Sequence, residues 1–203
     1  ETYGLADGAD WFAYDLVSSA AGMAFRVQRR GSPLGVFKTA MAGAHNVKNA
    51  LAAMAIATAV GVEAETIREG LAAFAGVKRR LETVGSARGV TVLDDFAHHP
   101  TAIRETLAAV RATHPGARIW AIFEPRSASS CRRLFQDAFA ASFAAADEVV
   151  IAQVYRAELP PDERLSPERL VEDLVSAGRR ARFVPAVDGI VGMLAREVRD
   201  GDI

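Results

Sequence analysis

The sequence predicts an α/β fold in two parts: antiparallel strands with two helices, followed by a doubly wound, mostly parallel sheet. Three observations carry this. From Thr83 onward, short β-branched runs alternate with helical periodicity at about 30 residues per step, the length of a βαβ unit. Residues 1–40 instead hold strand-like runs joined by a tight turn signal. Between the halves lies a basic connector, Val77-Lys78-Arg79-Arg80-Leu81-Glu82, where the character of the chain changes. The expected domains are residues 1–78 and 79–203.

Taken in order, Trp11 to Val17 is β-rich, Met23 to Gln28 alternates apolar and polar, and Leu34 to Phe37 returns after the turn Arg30-Gly31-Ser32-Pro33. A long helix opens near Gly43, with His45 or Asn46 as N-cap, and ends at Gly61. Its many alanines let another backbone approach closely. A second helix spans residues 65–75, with Ile67, Leu71 and Phe74 on its apolar face. Strands are then expected at 89–93, 118–123, 148–153 and 182–184, and helices at 101–113, 130–145, 166–177 and 188–198. Ser166-Pro167-Glu168 supplies an N-cap, a first-turn proline and an early acid. Gly201-Asp202-Ile203 reads as the start of another strand, and no initiating Met is present, so the chain is expected to be a fragment.

Composition removes several function classes. The chain has 203 residues, half of them apolar, and its 24 Lys+Arg nearly balance 25 Asp+Glu. That balance gives no global case for nucleic acid. The single cysteine, Cys131, excludes a disulfide framework and fits a reducing, cytoplasmic compartment. Arg132 and Arg133 follow it and could lower a thiol pKa, but a small helix residue is the favoured reading. No segment reads as a leader or a membrane span.

Candidate chemistry gathers at expected strand ends. Asp94-Asp95-Phe96-Ala97-His98-His99-Pro100-Thr101 sits at a strand-to-helix junction, the carboxyl edge where α/β sheets bind ligands. The bland alternative there is an ordinary loop with His98 or His99 as N-cap. The next strand ends in Glu124-Pro125-Arg126-Ser127, where a stiffened arginine suits a carboxylate or phosphate. Tyr155 and Arg156 end the third, and a plain surface loop is favoured for them. Asn46 and Asn49 share a helix face and offer amide donors and acceptors, as adenine recognition needs. Zinc is a weak candidate, since His98 and His99 are adjacent and no cysteine pair supports them. No G-x-S-x-G, G-x-G-x-x-G or P-loop occurs, which disfavours a serine hydrolase and a dinucleotide site, and leaves any phosphate cradle for ATP outside this chain.

These motifs together resemble the Mur ligase family, ATP-dependent amide-forming enzymes of peptidoglycan synthesis. His45-Asn46-Val47-Lys48-Asn49-Ala50-Leu51-Ala52-Ala53 is similar to the family's H-N-x-x-N-x-x-A-A helix. Arg79-Arg80-Leu81-Glu82 resembles its R-R-[FLM]-E junction, and residues 94–101 its D-D-[YF]-[AG]-H-H-P-T. Within the family, Phe123-Glu124-Pro125-Arg126-Ser127 resembles the murein peptide ligase branch; the L-alanine-adding branch typically carries F-Q-P-H-R. The resemblance implies the end of a central ATPase domain followed by a Rossmann-like C-terminal domain. It implies ATP contacts from His45, Asn46, Asn49, Arg80 and Asp95. It assigns catalysis to His99 and Arg126, and the incoming peptide to His98, Arg126 and Ser127. It implies ATP and Mg2+ as cofactors, with the metal ligands upstream. The partners implied are UDP-N-acetylmuramate and a peptide, L-alanyl-γ-D-glutamyl-meso-diaminopimelate, or alternatively L-alanine. A non-catalytic nucleotide-binding module is the reading from another class. The fragment alone is expected to be inactive.

Overall fold

A computed structural model describes residues 1–19, 21–155 and 158–203. Contacts divide the chain into two compact units, Glu1–Glu82 and Thr83–Ile203.

In the first unit, β1 (Tyr3–Gly4), β2 (Trp11–Ser19), β3 (Gly22–Arg29) and β4 (Ser32–Thr39) form a sheet in that order. β2–β3 and β3–β4 are antiparallel, while β1 runs parallel to β2. The inward residues Trp11, Ala13, Phe25, Val27 and Phe37 are buried, as the alternating runs require. On them lies α1 (Ala44–Ala59), which buries Val47, Ala50, Leu51 and Met54 at the i, i+3, i+4, i+7 spacing of one helix face. α2 (Ala64–Ala73) guards the edge strand: Arg68 donates to the carbonyls of Val36 and Leu34 (3.0 and 2.7 Å) and lies 4.7 Å over the Phe37 ring. Covering those carbonyls blunts β4 as a template for another chain.

Gly22 begins β3 at φ +109°, and a Cβ there would sit 2.1 Å from the Thr39 carbonyl oxygen. Backbone, unlike a flexible side chain, cannot step aside cheaply. Gly22→Ala is therefore expected to cost about 2–4 kcal/mol, combining left-handed strain with overpacking. A shifted denaturant midpoint in the first unit's transition would register it; an unchanged midpoint would refute the contact.

In the second unit, β5 (Glu82–Ala87) and β6 (Val90–Asp94) pair in a two-stranded sheet. Sequence reasoning missed β5, whose residues are mostly exposed and show no alternation. Its turn, Arg88-Gly89, has both φ values positive (54° and 76°), the signature of a tight hairpin turn. α3 (Pro100–Thr113) follows. β7 (Trp120–Phe123), β8 (Glu148–Ile151) and β9 (Arg180–Phe183) form a parallel sheet in that order. α4 (Gln136–Ser142), α5 (Pro167–Ser176) and α6 (Val187–Glu197) are interleaved with it. Every residue of β8 is buried, as a central parallel strand covered on both faces should be.

The expected strand start at Gly201–Ile203 is present as a join. Gly201 N–H donates to Gly89 O and Thr91 N–H to Asp202 O; Ile203 N–H donates to Arg118 O and Trp120 N–H to Ile203 O. Residue numbers rise in the same sense across these bonds, so the segment carries parallel pairing from β6 to β7. Asp202 pins it. Arg118 grips its carboxylate through Nε and Nη2 (2.6–3.2 Å), and Trp120 Nε1–H and the Arg199 N–H donate to Oδ2 at 3.0 and 2.9 Å.

The expected helix over residues 130–145 is shorter than its periodicity suggests. Leu165 N–H donates to Cys131 O, Arg133 N–H donates to Glu163 O, and Arg132 bridges Arg164 in antiparallel fashion. That pairing diverts the segment's start, and only a 3-10 turn at Arg133–Phe135 leads into α4. Cys131 is fully buried in this irregular stretch, with its Sγ–H donating to Pro125 O at 3.2 Å. Among the described residues no helix is long and apolar enough to cross a membrane.

Candidate functional site

A cleft of about 500 Å³ opens in the first unit, lined by His45, Asn46, Asn49, Ala50, Ala53, Met41, Leu71, Phe74 and Arg80 among others. Ala50 and Ala53 leave room where larger residues would fill it. Four of the five residues expected to meet ATP thus share one cavity. The cap is different from expectation: Gly43 holds the N-cap position of α1, and neither His45 nor Asn46 caps it. Instead the asparagines form a chain. Asn49 Nδ2 donates to Asn46 Oδ1 (3.1 Å), and Asn46 Nδ2 donates to Ala42 O (2.8 Å). Asn46 is buried and Asn49 exposed, so Asn46 acts as a support that fixes how Asn49 presents its remaining amide groups. The Arg79-Arg80-Leu81-Glu82 junction is strained: Arg79 and Leu81 have φ of 58° and 51°. Glu82 accepts the Arg79 N–H at 2.8 Å, steadying the turn that delivers Arg80 to the cleft.

Phe74 is a lining residue that sequence reasoning assigned to the core. It sits just past α2, is 45% exposed, and offers a ring face where a flat base can stack. Its only sequence signal is its place between the end of the helical pattern and Gly76.

In the second unit, Asp95, His98 and His99 occupy the loop from β6 to α3. Asp95 Oδ1 accepts from Ala97 N–H (2.8 Å) and Thr106 Oγ1–H (3.2 Å), which locks the loop onto the helix. His98 Nδ1 lies 2.9 Å from Phe96 O. A carbonyl only accepts, so Nδ1 carries the proton and a neutral His98 offers a bare Nε2. His99 has the opposite arrangement: its Nδ1 accepts from Thr101 N–H at 3.3 Å, making it the N-cap of α3, and its proton resides on Nε2. His99 therefore caps α3 through Nδ1 and presents Nε2–H, whereas His98 presents an acceptor at Nε2. The His99 ring also packs edge-on against Phe135, which continues through Phe139 to Phe123 at the end of β7.

Arg126 follows that strand end. Its guanidinium lies 4.4 Å over the Tyr155 ring and 3.8 Å from the Glu124 carboxylate, with the side chain 64% exposed. Ser127, expected from the resemblance to meet substrate, hydrogen-bonds within its loop: Ser127 Oγ–H donates to Ser130 Oγ (2.9 Å), and Ser130 N–H donates to Ser127 Oγ (3.1 Å). It shapes the loop that carries Arg126. Arg156 lies outside the described residues. Among those described, no group of three or more His, Cys, Asp or Glu could hold a metal ion.

A family profile described as "Mur ligase, glutamate ligase domain" matches residues 79–203. The chain belongs to the Mur ligase family. The UDP-N-acetylmuramate–L-alanine ligase of Caldanaerobacter subterraneus is 38% identical over all 203 residues, which cover 44% of that protein. The ligase of the same name from Phenylobacterium zucineum is 46% identical over 164 residues, covering 80% of this chain and 34% of that protein. Among solved structures, the UDP-N-acetylmuramate–alanine ligase of Thermotoga maritima superposes with a TM-score of 0.80 at 26% identity, covering 97% of this chain and 42% of that one. The murein peptide ligase of Psychrobacter arcticus gives 0.66 at 33% identity, covering 97% and 40%. The chain therefore spans less than half the length of these relatives. The expected α/β fold with a parallel sheet is that of the Mur ligase structures. The finer expectation of a murein peptide ligase is not what the curated relatives carry: they are named for L-alanine.

If the Mur ligase cleft holds adenine, Asn49→Ala should weaken ATP binding about 5- to 30-fold, the loss of one or two hydrogen bonds. Asn46→Ala should do the same and also lower stability by about 1–2 kcal/mol, because it strips a buried amide from Ala42 O. Calorimetric titration of the full-length enzyme paired with denaturant melts separates the two; equal stability loss from both variants would contradict the support role.

Proposed function

We propose that this chain is part of an ATP-dependent ligase that joins L-alanine to UDP-N-acetylmuramate. The observation that carries the reading is the 38% identity to a protein of that name along the chain's whole length. In the reaction a muramate carboxylate oxygen attacks the γ-phosphorus of ATP, releasing ADP and leaving an acyl-phosphate. The amine nitrogen then attacks the acyl carbon, phosphate departs with the C–O electron pair, and the nitrogen loses a proton. His45, Asn46, Asn49 and Arg80 bind ATP, and Asp95 braces the loop from β6 to α3. His98 Nε2 accepts the amine proton, while His99 Nε2–H donates to the developing negative charge. Arg126 takes the carboxylate of the amine substrate as a fork. Mg2+, when bound, would supply charge neutralisation for the nucleotide phosphates.

A second reading is favoured by one specific segment. Phe123-Glu124-Pro125-Arg126-Ser127 is the pattern of the peptide-adding branch, and the Psychrobacter murein peptide ligase shares 33% identity with this chain. The test is phosphate release by the full-length enzyme with UDP-N-acetylmuramate, ATP and Mg2+. L-alanine is supplied in one reaction and L-alanyl-γ-D-glutamyl-meso-diaminopimelate in another. Turnover with L-alanine supports the first reading. Turnover with the tripeptide alone replaces it with the second, and silence in both overturns the ligase reading.

A further inference from the structure

Arg126 is long, exposed and surrounded by solvent on most sides, yet a fork that recognises a carboxylate must be held in one plane before the ligand arrives. The structure offers a device for this. The guanidinium carbon lies 4.4 Å from the centre of the Tyr155 ring, and the Glu124 carboxylate lies 3.8 Å from one guanidinium nitrogen. The ring's own position does not rest on that stacking. Tyr155 N–H donates to Pro125 O at 3.0 Å, so the backbone of the loop after β8 is tied to the residue before Arg126. Ala152 N–H donates to Phe123 O at 2.9 Å, holding the same two segments together one step earlier. On the other side of the loop, Cys131 Sγ–H also donates to Pro125 O, and the Ser127–Ser130 hydroxyls close the turn. Ring and guanidinium are thus carried on two segments joined at Pro125, with Tyr155 itself 60% exposed and contributing little to the core.

We propose that Tyr155 is the positioning residue of Arg126: its ring face holds the guanidinium where it meets the carboxylate of the amine substrate. The inference rests on the reading of Arg126 given above and holds for either amine. A cation–π contact of this exposed kind accounts for a modest factor, about two- to fivefold.

The test uses the full-length ligase with its preferred amine. Tyr155→Leu is expected to raise the amine KM about two- to fivefold, with the KM values for ATP and UDP-N-acetylmuramate and the melting temperature unchanged. Tyr155→Phe, which keeps the ring, should restore the amine KM. In the 203-residue chain, the Arg126 Nε–H NMR resonance should be shifted upfield by the ring current, keep that shift in Tyr155→Phe and lose it in Tyr155→Leu. Arg126→Ala run alongside separates the two failures. If Arg126→Ala raises the amine KM and Tyr155→Leu does not, the positioning role is overturned and the site reading stands. If neither changes it, the site reading falls and the proposal with it. If Tyr155→Phe is as damaging as Tyr155→Leu, the hydroxyl rather than the ring face matters, which also overturns it.

Discussion

Arg126→Ala in the full-length ligase is expected to lower kcat/KM for the amine substrate by about 10²–10³, the cost of losing a charge-assisted, two-pronged contact. The loss should fall on the amine alone. Arg126 is 64% exposed and supports no core residue, so melting behaviour should not change. Arg126→Lys should recover only part of the loss, because an ammonium keeps the charge and lacks the planar fork. Initial rates with each substrate varied in turn decide this. A rise in the ATP KM of the same size would move Arg126 out of the amine site, and unchanged rates would remove it from the site altogether.

The second large effect is on stability. Asp202→Ala is expected to destabilise the Thr83–Ile203 unit by about 2–4 kcal/mol, because it leaves the buried Trp120 Nε1–H and the half-buried Arg118 guanidinium without their shared acceptor. The Arg118 guanidinium, foremost, holds the Asp202 carboxyl below its ordinary value. The sign follows. A carboxyl with a depressed folded-state pKa contributes its stability in full above the unfolded value near 3.9, and loses it as the pH falls through the folded value. The gap between parent and variant should therefore be widest near neutrality and shrink below about pH 4. Guanidinium melts of the 203-residue chain at pH 7 and pH 3 measure it. A gap of constant size would show that Asp202 acts through packing and not through charge.

Much of this architecture is written locally. The βα alternation is legible because each element announces its own burial: β-branched runs for β6, β7 and β8, and helical periodicity with Ser166 capping α5 through its hydroxyl to Arg169 N–H. The H-N-x-x-N spacing likewise puts Asn46 and Asn49 on one face whatever surrounds them, and they do meet at 3.1 Å. β5 was illegible, because an exposed edge strand has no alternation to read. The start of the 130–145 helix was misread, because its backbone pairs with Glu163 and Leu165, some thirty residues away.

By itself, then, the sequence determined the order of elements, the face shared by the two asparagines, and the placing of Asp95, His98, His99 and Arg126 at strand ends. Those follow from periodicity, caps and chirality, which act over a few residues. Only the tertiary structure decided which atoms remain free. His98 and His99 are neighbours in sequence, yet one gives its Nδ1 proton to Phe96 O and the other receives Thr101 N–H, so they offer opposite chemistry. Tyr155 and Arg126 are 29 residues apart in the sequence, and only the parallel pairing of β7 with β8 brings the ring beneath the guanidinium. Hydrogen-bond capacity is finite and spent pairwise, so a residue's role depends on partners that local sequence does not reveal.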